Sequence, residues 1–191
     1  MIKISRGLDL PISGAPVQVI SEGTKARSVA LVGFDYVGMK PTMSVQVGDR
    51  VKTGQLLFTD KKTEGVKYTS PATGTVSAIN RGDKRVFQSI VIDVEDDEFE
   101  TFETGDVNSL SRQQIVDTLV NSGQWTALRT RPYSRVPAPD SEATAIFVTA
   151  IDTPPLAADP SVIIAEQSAA FADGLTVLTK LSDKVFVATA P

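Results

Sequence analysis

Two stretches decide the fold around them: VQVGDRVKTGQLLF at residues 45–58 and SPATGTV at residues 70–76. In each stretch, short apolar runs are interrupted by glycine. Glycine takes positive φ at little cost, so it suits corners where a chain leaves one sheet for another. Short strand-like runs with turn residues at close intervals are typical of a small β barrel or sandwich. We therefore predict a small β barrel or sandwich over residues 40–100.

The pattern changes after residue 101 to one expected of an α/β domain. Ser111 and Gln114 have capping-box spacing ahead of an apolar helical set. The run AIFVTA at residues 145–150 is almost continuously apolar, which predicts a parallel strand buried on both faces. A helical stripe and a second strand, VFVA at residues 185–188, complete a βαβ unit. The stripe consists of Phe171, Leu175, Leu178 and Leu181. The fold class is thus mixed α+β and α/β, with a truncated Rossmann-like domain over residues 101–191.

Residues 1–39 form the third predicted segment. They are rich in glycine and proline and contain one apolar run of strand length, VALVGF at residues 29–34. We expect an extended arm and a first strand that pack on the α/β part. In the α/β part, the pair Asp159-Pro160 predicts an N-cap followed by proline at the first helical position.

Composition excludes several kinds of chemistry. The 191 residues contain no cysteine and no histidine, so this chain cannot supply a disulfide, an iron–sulfur cluster, a thiolate nucleophile or a Ser-His-Asp triad. The net charge of −4 disfavours nonspecific nucleic-acid binding. No apolar signal core or stretch of about 20 apolar residues is present, so we expect a soluble chain without a membrane span. We predict no catalytic residue and no metal site.

The barrel stretches resemble the biotinyl/lipoyl carrier fold and its barrel-sandwich relatives. Carrier domains attach their cofactor to a lysine at a hairpin tip, usually beside methionine. The corresponding segment here, TDKKTEGVK at residues 59–67, has three lysines and no methionine. A charged, solvated hairpin is the favoured interpretation, and a biotin or lipoyl carrier stays open as an alternative.

Several longer sequence segments carry a more specific resemblance to a known family. They are GLDLPISG at residues 7–14, YVGMKPTM at 36–43, DKK at 60–62, INRGDKRV at 79–86, WTALRTRPYSRVP at 125–137 and LAADP at 156–160. Together they resemble the N-terminal part of the A-subunit family of bacterial sodium-translocating NADH:quinone oxidoreductases. At greater distance the family resembles the C subunit of the Rnf complex and the flavin-binding subunit of complex I.

The resemblance implies a role in a membrane-bound translocase that oxidises NADH, reduces ubiquinone and exports sodium. It implies a peripheral subunit on the cytoplasmic face of the bacterial inner membrane, associated with quinone reduction. The partners would be ubiquinone and the other subunits, especially the membrane-embedded ones. Flavins and an iron–sulfur centre would lie on or between other subunits, with no cofactor bound by this chain.

The distant relatives carry a glycine-rich loop that receives flavin phosphate and nicotinamide nucleotide. The corresponding stretch here is SGQWTALRTRP at residues 122–132, where only Gly123 remains of the glycines. Trp125, Leu128 and Arg129 would fill the space a nucleotide needs. The resemblance therefore argues against flavin or NADH binding, although a flavin-binding redox fragment remains an alternative.

The same loop gives the candidate site, because its arginines alternate with aromatic residues. Such a surface can stack on a quinone ring, donate hydrogen bonds to its carbonyls or anchor a protein partner. The alternative is a purely structural role, in which the arginines pair with local carboxylates and the aromatic side chains are buried in a core. A second apolar and aromatic set, around residue 36, lies next to Gly33 and Gly38. The predicted quinone or partner contacts are Trp125, Arg129, Arg131, Tyr133 and Arg135, with Phe34, Tyr36 and Met39.

Overall fold

The computed structural model describes residues 10–103 and 105–190, which fall into two compact units. One unit contains residues 24–143, and the other combines the described residues before Thr24 with those from Thr144 onward. The mixed α+β fold class with a barrel-sandwich domain and a βαβ unit is confirmed. The three domain boundaries given above, 1–39, 40–100 and 101–191, stay a prediction.

Seven strands build the barrel in two antiparallel sheets. They are β1 (Ser28–Val32), β2 (Pro41–Met43), β3 (Arg50–Val51), β4 (Leu56–Asp60), β5 (Lys67–Thr69), β6 (Thr73–Arg81) and β7 (Phe87–Asp96). One sheet has the order β1-β7-β6-β3 and the other the order β2-β4-β5. The core between them contains Leu57, Phe58, Val76, Ile90 and Ile92, each completely buried. Burying these side chains supplies the main driving force for the domain.

Strand β1 differs from the sequence-based expectation that the first strand packs on the α/β part. It pairs antiparallel with β7 over five residues, from Ser28 opposite Asp93 to Val32 opposite Ser89. Its exposed and half-buried residues alternate, as expected of an edge strand with one face toward a core. An apolar run specifies a strand but not its partner, and here the long β7 offers the free edge.

The acidic end of β7 forms ion pairs with an arginine of β3, on the far side of β6 in the same sheet. Arg50 lies 2.7 Å from Asp96, 2.8 Å from Glu98 and 3.7 Å from Glu95. The hydrogen bond from Arg50, followed by that from Lys52, lowers the pKa of Glu98 below its usual range. All these side chains are exposed, so the ion pairs fix the surface register more than they add to stability.

Helix α1 (Arg112–Asn121) begins with the predicted capping box. The Ser111 hydroxyl accepts the Gln114 amide N–H at 3.3 Å, while the Gln114 side chain accepts the Ser111 N–H at 2.9 Å. The helix buries Ile115, Val116 and Val120. It is followed by Gly123 at φ 79° and a 3-10 helix, Gln124–Ala127.

Ser111→Ala is expected to lower the free energy of unfolding by about 1 kcal/mol, because one helix N–H loses its acceptor. Ser111→Thr keeps a hydroxyl acceptor and should retain most of that stability. Urea unfolding followed by circular dichroism measures both changes. Equal losses for the two variants would contradict the capping role.

The second unit contains the βαβ segment. Strands β8 (Ile146–Thr149) and β9 (Val185–Ala188) pair in parallel, with Phe147 opposite Phe186. Between them lie α2 (Pro160–Glu166) and α3 (Ser168–Thr179), where a single helix was expected. Asp159 caps α2 by accepting the Ser161 N–H at 2.8 Å, as predicted.

The expectation that β8 is buried on both faces is wrong for the described residues. Phe147 is 75% exposed and Phe186 is 51% exposed, and their rings stack with centroids 5.2 Å apart. In the described part of the chain this sheet has two strands, and the exposure of both rings shows that the face carrying them is open. The continuous apolar run therefore correctly predicted a parallel strand, but it did not predict whether both faces of that strand are buried.

Residues 10–23 have no regular secondary structure, and one side chain ties them to the rest of their unit. The Gln18 amide oxygen accepts the Asp159 N–H at 2.8 Å, and the Gln18 amide nitrogen donates to the Ala157 carbonyl at 3.3 Å. Across the described part of the chain, no single helix is long and apolar enough to cross a bilayer. Helices α2 and α3 reach that length and composition only together, with a 98° bend between them.

Candidate functional site

Two of the predicted residues, Tyr36 and Arg129, meet in the first unit. The Arg129 guanidinium carbon lies 5.1 Å from the centroid of the Tyr36 ring, within cation–π distance. Arg129 Nη1 also donates to the carbonyls of Thr126 and Leu128, the latter at 2.9 Å. These bonds follow from the 3-10 turn after Gly123, which directs its last carbonyls toward the arginine. The cation is therefore fixed in place over an aromatic face.

Tyr36 and Arg129 line a cleft of about 580 Å³ between the barrel and the turn after α1. Clefts of about 300–1,000 Å³ are the usual size for small-molecule sites. Phe99 and Phe102 also line it, and Phe99 is 66% exposed. Gln124 adds an amide that can donate or accept hydrogen bonds. A planar ring with polar oxygens matches this combination of aromatic walls, a cation and an amide.

A second, smaller cavity of about 70 Å³ also has Tyr36 in its wall. Met39 and Arg135, both predicted contacts, line it together with Asp60 and Tyr68. Tyr68 stacks on Phe58 and meets the edge of Tyr36, with centroid distances of 4.7 Å in both cases. The structure thus brings together Tyr36, Met39, Arg129 and Arg135 around two adjoining cavities.

Tyr68 is the feature of this region that the sequence did not indicate. The residue is 1% exposed, and its hydroxyl has no hydrogen-bond partner within residues 10–103 and 105–190. Burial, and then the charge of Asp60, raise the pKa of Tyr68 above its ordinary value, so the phenol stays a neutral donor. Nothing in the triplet KYT distinguishes it from an ordinary aromatic core residue in a strand.

Trp125 is not on the surface of the site. It is 3% exposed, and its indole Nε1 donates to the Pro137 carbonyl at 2.8 Å. The side chain therefore fills core and ties the 3-10 turn to the loop that ends at residue 137. Its ring face is not available for stacking on a ligand in this arrangement.

Phe34, Arg131 and Tyr133 lie apart from both cavities. Phe34 is 71% exposed and Tyr133 is 73% exposed, and Arg131 is also exposed. None of the three lines either cavity. If these side chains have a contact role, it is with a partner surface rather than with a ligand in the cleft.

Gly123, the remaining glycine of the loop, has a structural reason to be there. A Cβ at this position would lie 2.3 Å from Thr69 Oγ1, and the backbone has φ 79°. Thr69 Oγ1 donates to the Ser122 carbonyl at 3.0 Å, which draws the loop against β5. A phosphate would have to come close to the backbone of this loop, and here the Thr69 side chain takes that position.

Two family models match this chain. The NqrA N-terminal barrel-sandwich hybrid domain matches residues 2–95, and the NqrA second alpha/beta domain matches residues 110–191. The first covers the seven barrel strands except the last residue of β7, and the second covers α1 and the βαβ segment. The two models therefore agree with the order of the elements described above.

Curated relatives align with almost the whole of this chain at high identity. The A subunit of the Na(+)-translocating NADH-quinone reductase of Saccharophagus degradans is 68% identical over 194 residues, covering 100% of this chain and 43% of the relative. The proteins of the same name from Hahella chejuensis and Pseudomonas aeruginosa are 65% and 62% identical, covering 98% and 100% of this chain. This chain spans 43% of the length of these three relatives. With both domain models matched in order, the chain belongs to the NqrA family.

Proposed function

We propose that this chain is the N-terminal part of the A subunit of a sodium-translocating NADH–quinone reductase. The proposal rests on the names of relatives that are 68% and 65% identical to it. Flavins and an iron–sulfur centre would then lie on other subunits. The chain would be peripheral, on the cytoplasmic face, beside membrane-embedded partners. Its own contribution would be binding and positioning, because it has no histidine or cysteine for proton transfer or covalent catalysis.

Within that role, we propose that the 580 Å³ cleft holds the head group of a quinone. The observation that carries this proposal is the Arg129 guanidinium fixed over the Tyr36 ring at the cleft wall. A quinone presents a flat ring and two carbonyl oxygens. The ring would pack against Tyr36 and Phe102, and Arg129 would donate a charge-assisted hydrogen bond to one carbonyl. Gln124 would donate to another oxygen.

The exposed aromatic and cationic residues are assigned to the other predicted role, contact with a protein partner. We propose that Phe34 and Tyr133 contact a neighbouring protein of the complex, since both are large, aromatic and more than 70% exposed. Arg131 is an exposed cation close to Tyr133 in sequence. Tyrosine, tryptophan and arginine are the residue types that most often dominate binding energy at interfaces.

Two features weigh against the alternative functions. The resemblance to carrier domains implies a methionine beside the modified lysine, whereas the hairpin at residues 59–67 contains no methionine. A flavin-binding loop needs open backbone N–H groups, whereas Gly123 is packed on Thr69. An unmodified intact mass and a colourless protein are the corresponding expected results.

Calorimetric titration with a short-chain ubiquinone tests the cleft. We expect saturable binding that Arg129→Met weakens about tenfold, because one charge-assisted hydrogen bond and one cation–π contact are lost. Met keeps much of the apolar stem, so the fold should be preserved, and thermal unfolding checks this.

Arg131→Met is the matched control, since it removes the same charge two residues away and outside the cleft. It should leave the ubiquinone affinity within about twofold of the original, as expected of a screened surface charge. No saturable binding by a folded sample, or equal losses for the two arginine variants, would rule out the Arg129 cleft as the quinone site.

A further inference from the structure

The 70 Å³ cavity beside Tyr36 is a candidate binding site with a different chemistry from the cleft. Its walls include Lys62 from the β4–β5 turn, Tyr68 from β5, and Arg135 from the loop after the 3-10 turn. Water occupies about 30 Å³ per molecule in the liquid, so the cavity has room for about two waters or one compact polar group. A ring system does not fit this space.

Three of the residues that line this cavity carry hydrogen-bond donors without partners among the described residues. They are the Tyr68 hydroxyl, the Lys62 ammonium and the Arg135 guanidinium, and for none of them do the described residues provide a hydrogen-bond or ion-pair partner. The Arg135 guanidinium lies over the Gly38 backbone, where a Cβ would be 3.4 Å from Nε. A buried hydroxyl without an acceptor is unfavourable, so an acceptor in the cavity would be stabilised.

Asp60 is the acidic group in the wall, and its charge is already engaged. Its Oδ1 accepts the Lys40 N–H at 3.0 Å and the Lys62 N–H at 2.8 Å. The lining therefore carries two cations against one carboxylate, a net charge of +1. The local field thus favours an anion although the whole chain has a net charge of −4.

We propose that this cavity binds one small oxyanion of the phosphate class. Lys62 and Arg135 supply the charge, and the Tyr68 hydroxyl donates a hydrogen bond. The three donors come from three different segments of the chain. An oxyanion of the phosphate class offers a separate oxygen to each of them, whereas a carboxylate has two oxygens. Free phosphate and a phosphomonoester share this chemistry, and the titrations below compare them.

The test is calorimetric titration of the whole chain with inorganic phosphate and, separately, with glycerol 1-phosphate, at constant ionic strength set by sodium chloride. We expect saturable binding of at least one of them. Lys62→Gln and Arg135→Gln should each raise Kd about tenfold, as for loss of a charge-assisted hydrogen bond. Tyr68→Phe, which keeps the stacked ring, should raise Kd about fivefold. Tighter binding of the phosphomonoester would indicate that a larger phosphorylated ligand is the natural one.

Lys61→Gln is the matched control, because it removes the same charge from the neighbouring exposed residue that does not line the cavity. Its Kd should change by less than about twofold, as expected of a screened charge. The proposal is overturned if neither phosphate compound binds saturably. It is also overturned if Lys61→Gln weakens binding as much as Lys62→Gln, or if Tyr68→Phe leaves Kd unchanged. Circular dichroism of each variant establishes that it is folded.

Discussion

Trp125→Ala is expected to lower the free energy of unfolding by about 3–5 kcal/mol, as for other large aromatic residues truncated in a core. The side chain is 3% exposed, so its removal leaves a cavity next to α1 and the barrel. The Pro137 carbonyl also loses its donor, the indole N–H at 2.8 Å. Trp125 is the single tryptophan of the chain, so urea unfolding has to be followed by circular dichroism rather than by tryptophan fluorescence.

Trp125→Phe separates packing from hydrogen bonding in this prediction. Phenylalanine keeps most of the apolar contact and loses the N–H, so a smaller loss of about 1–2 kcal/mol is expected. If Trp125→Ala cost less than about 1 kcal/mol, the turn and the loop would not be joined through this side chain. That result would return Trp125 to the set of surface contacts that the sequence suggested.

Gly123→Ala is expected to lower the free energy of unfolding by about 2–4 kcal/mol, as the sum of two effects. The left-handed backbone at φ 79° disfavours a residue with a Cβ. The new methyl group would also lie 2.3 Å from Thr69 Oγ1, which is bonded to the Ser122 carbonyl and cannot move freely. The same urea experiment measures the change.

Gly48→Ala is the matched control for the backbone effect. Gly48 has φ 94°, and a Cβ there would have no atom within 4 Å. Its loss should be about 1 kcal/mol, the backbone cost alone. The difference between the two glycine variants then measures the close packing of the loop on β5. Equal losses would mean that Thr69 moves aside and that Gly123 is required for its φ only.

Features encoded by neighbouring residues were predictable from the sequence. The glycine-punctuated stretches at 45–58 and 70–76 predicted the barrel, Ser111 with Gln114 predicted the start of α1, and Asp159-Pro160 predicted the start of α2. Each signal depends on backbone geometry over a few residues, so its meaning does not change with the tertiary structure. Of the candidate site, the loop composition selected Arg129 and Arg135, and the apolar and aromatic set beside Gly33 and Gly38 supplied Tyr36 and Met39. The fold brings these four residues to adjoining cavities.

Features that depend on distant partners were not predictable in this way. The sequence could not assign β1 to β7, because an apolar strand fits many sheet edges. It could not separate Trp125, which is buried, from Tyr133, which is 73% exposed, because both lie in one loop of similar composition. It also gave no sign that Tyr68 is a buried donor without a partner among the described residues.

The sequence by itself thus determined the family resemblance, the two kinds of domain, the helix starts and the absence of histidine and cysteine chemistry. These properties depend on residue identity and short spacing. Only the tertiary structure decided which aromatic and cationic side chains face a cavity and which fill core. Burial and the pairing of donors with acceptors are set by segments far apart in the chain, such as residues 36, 68, 129 and 135, and no local pattern records how those segments meet.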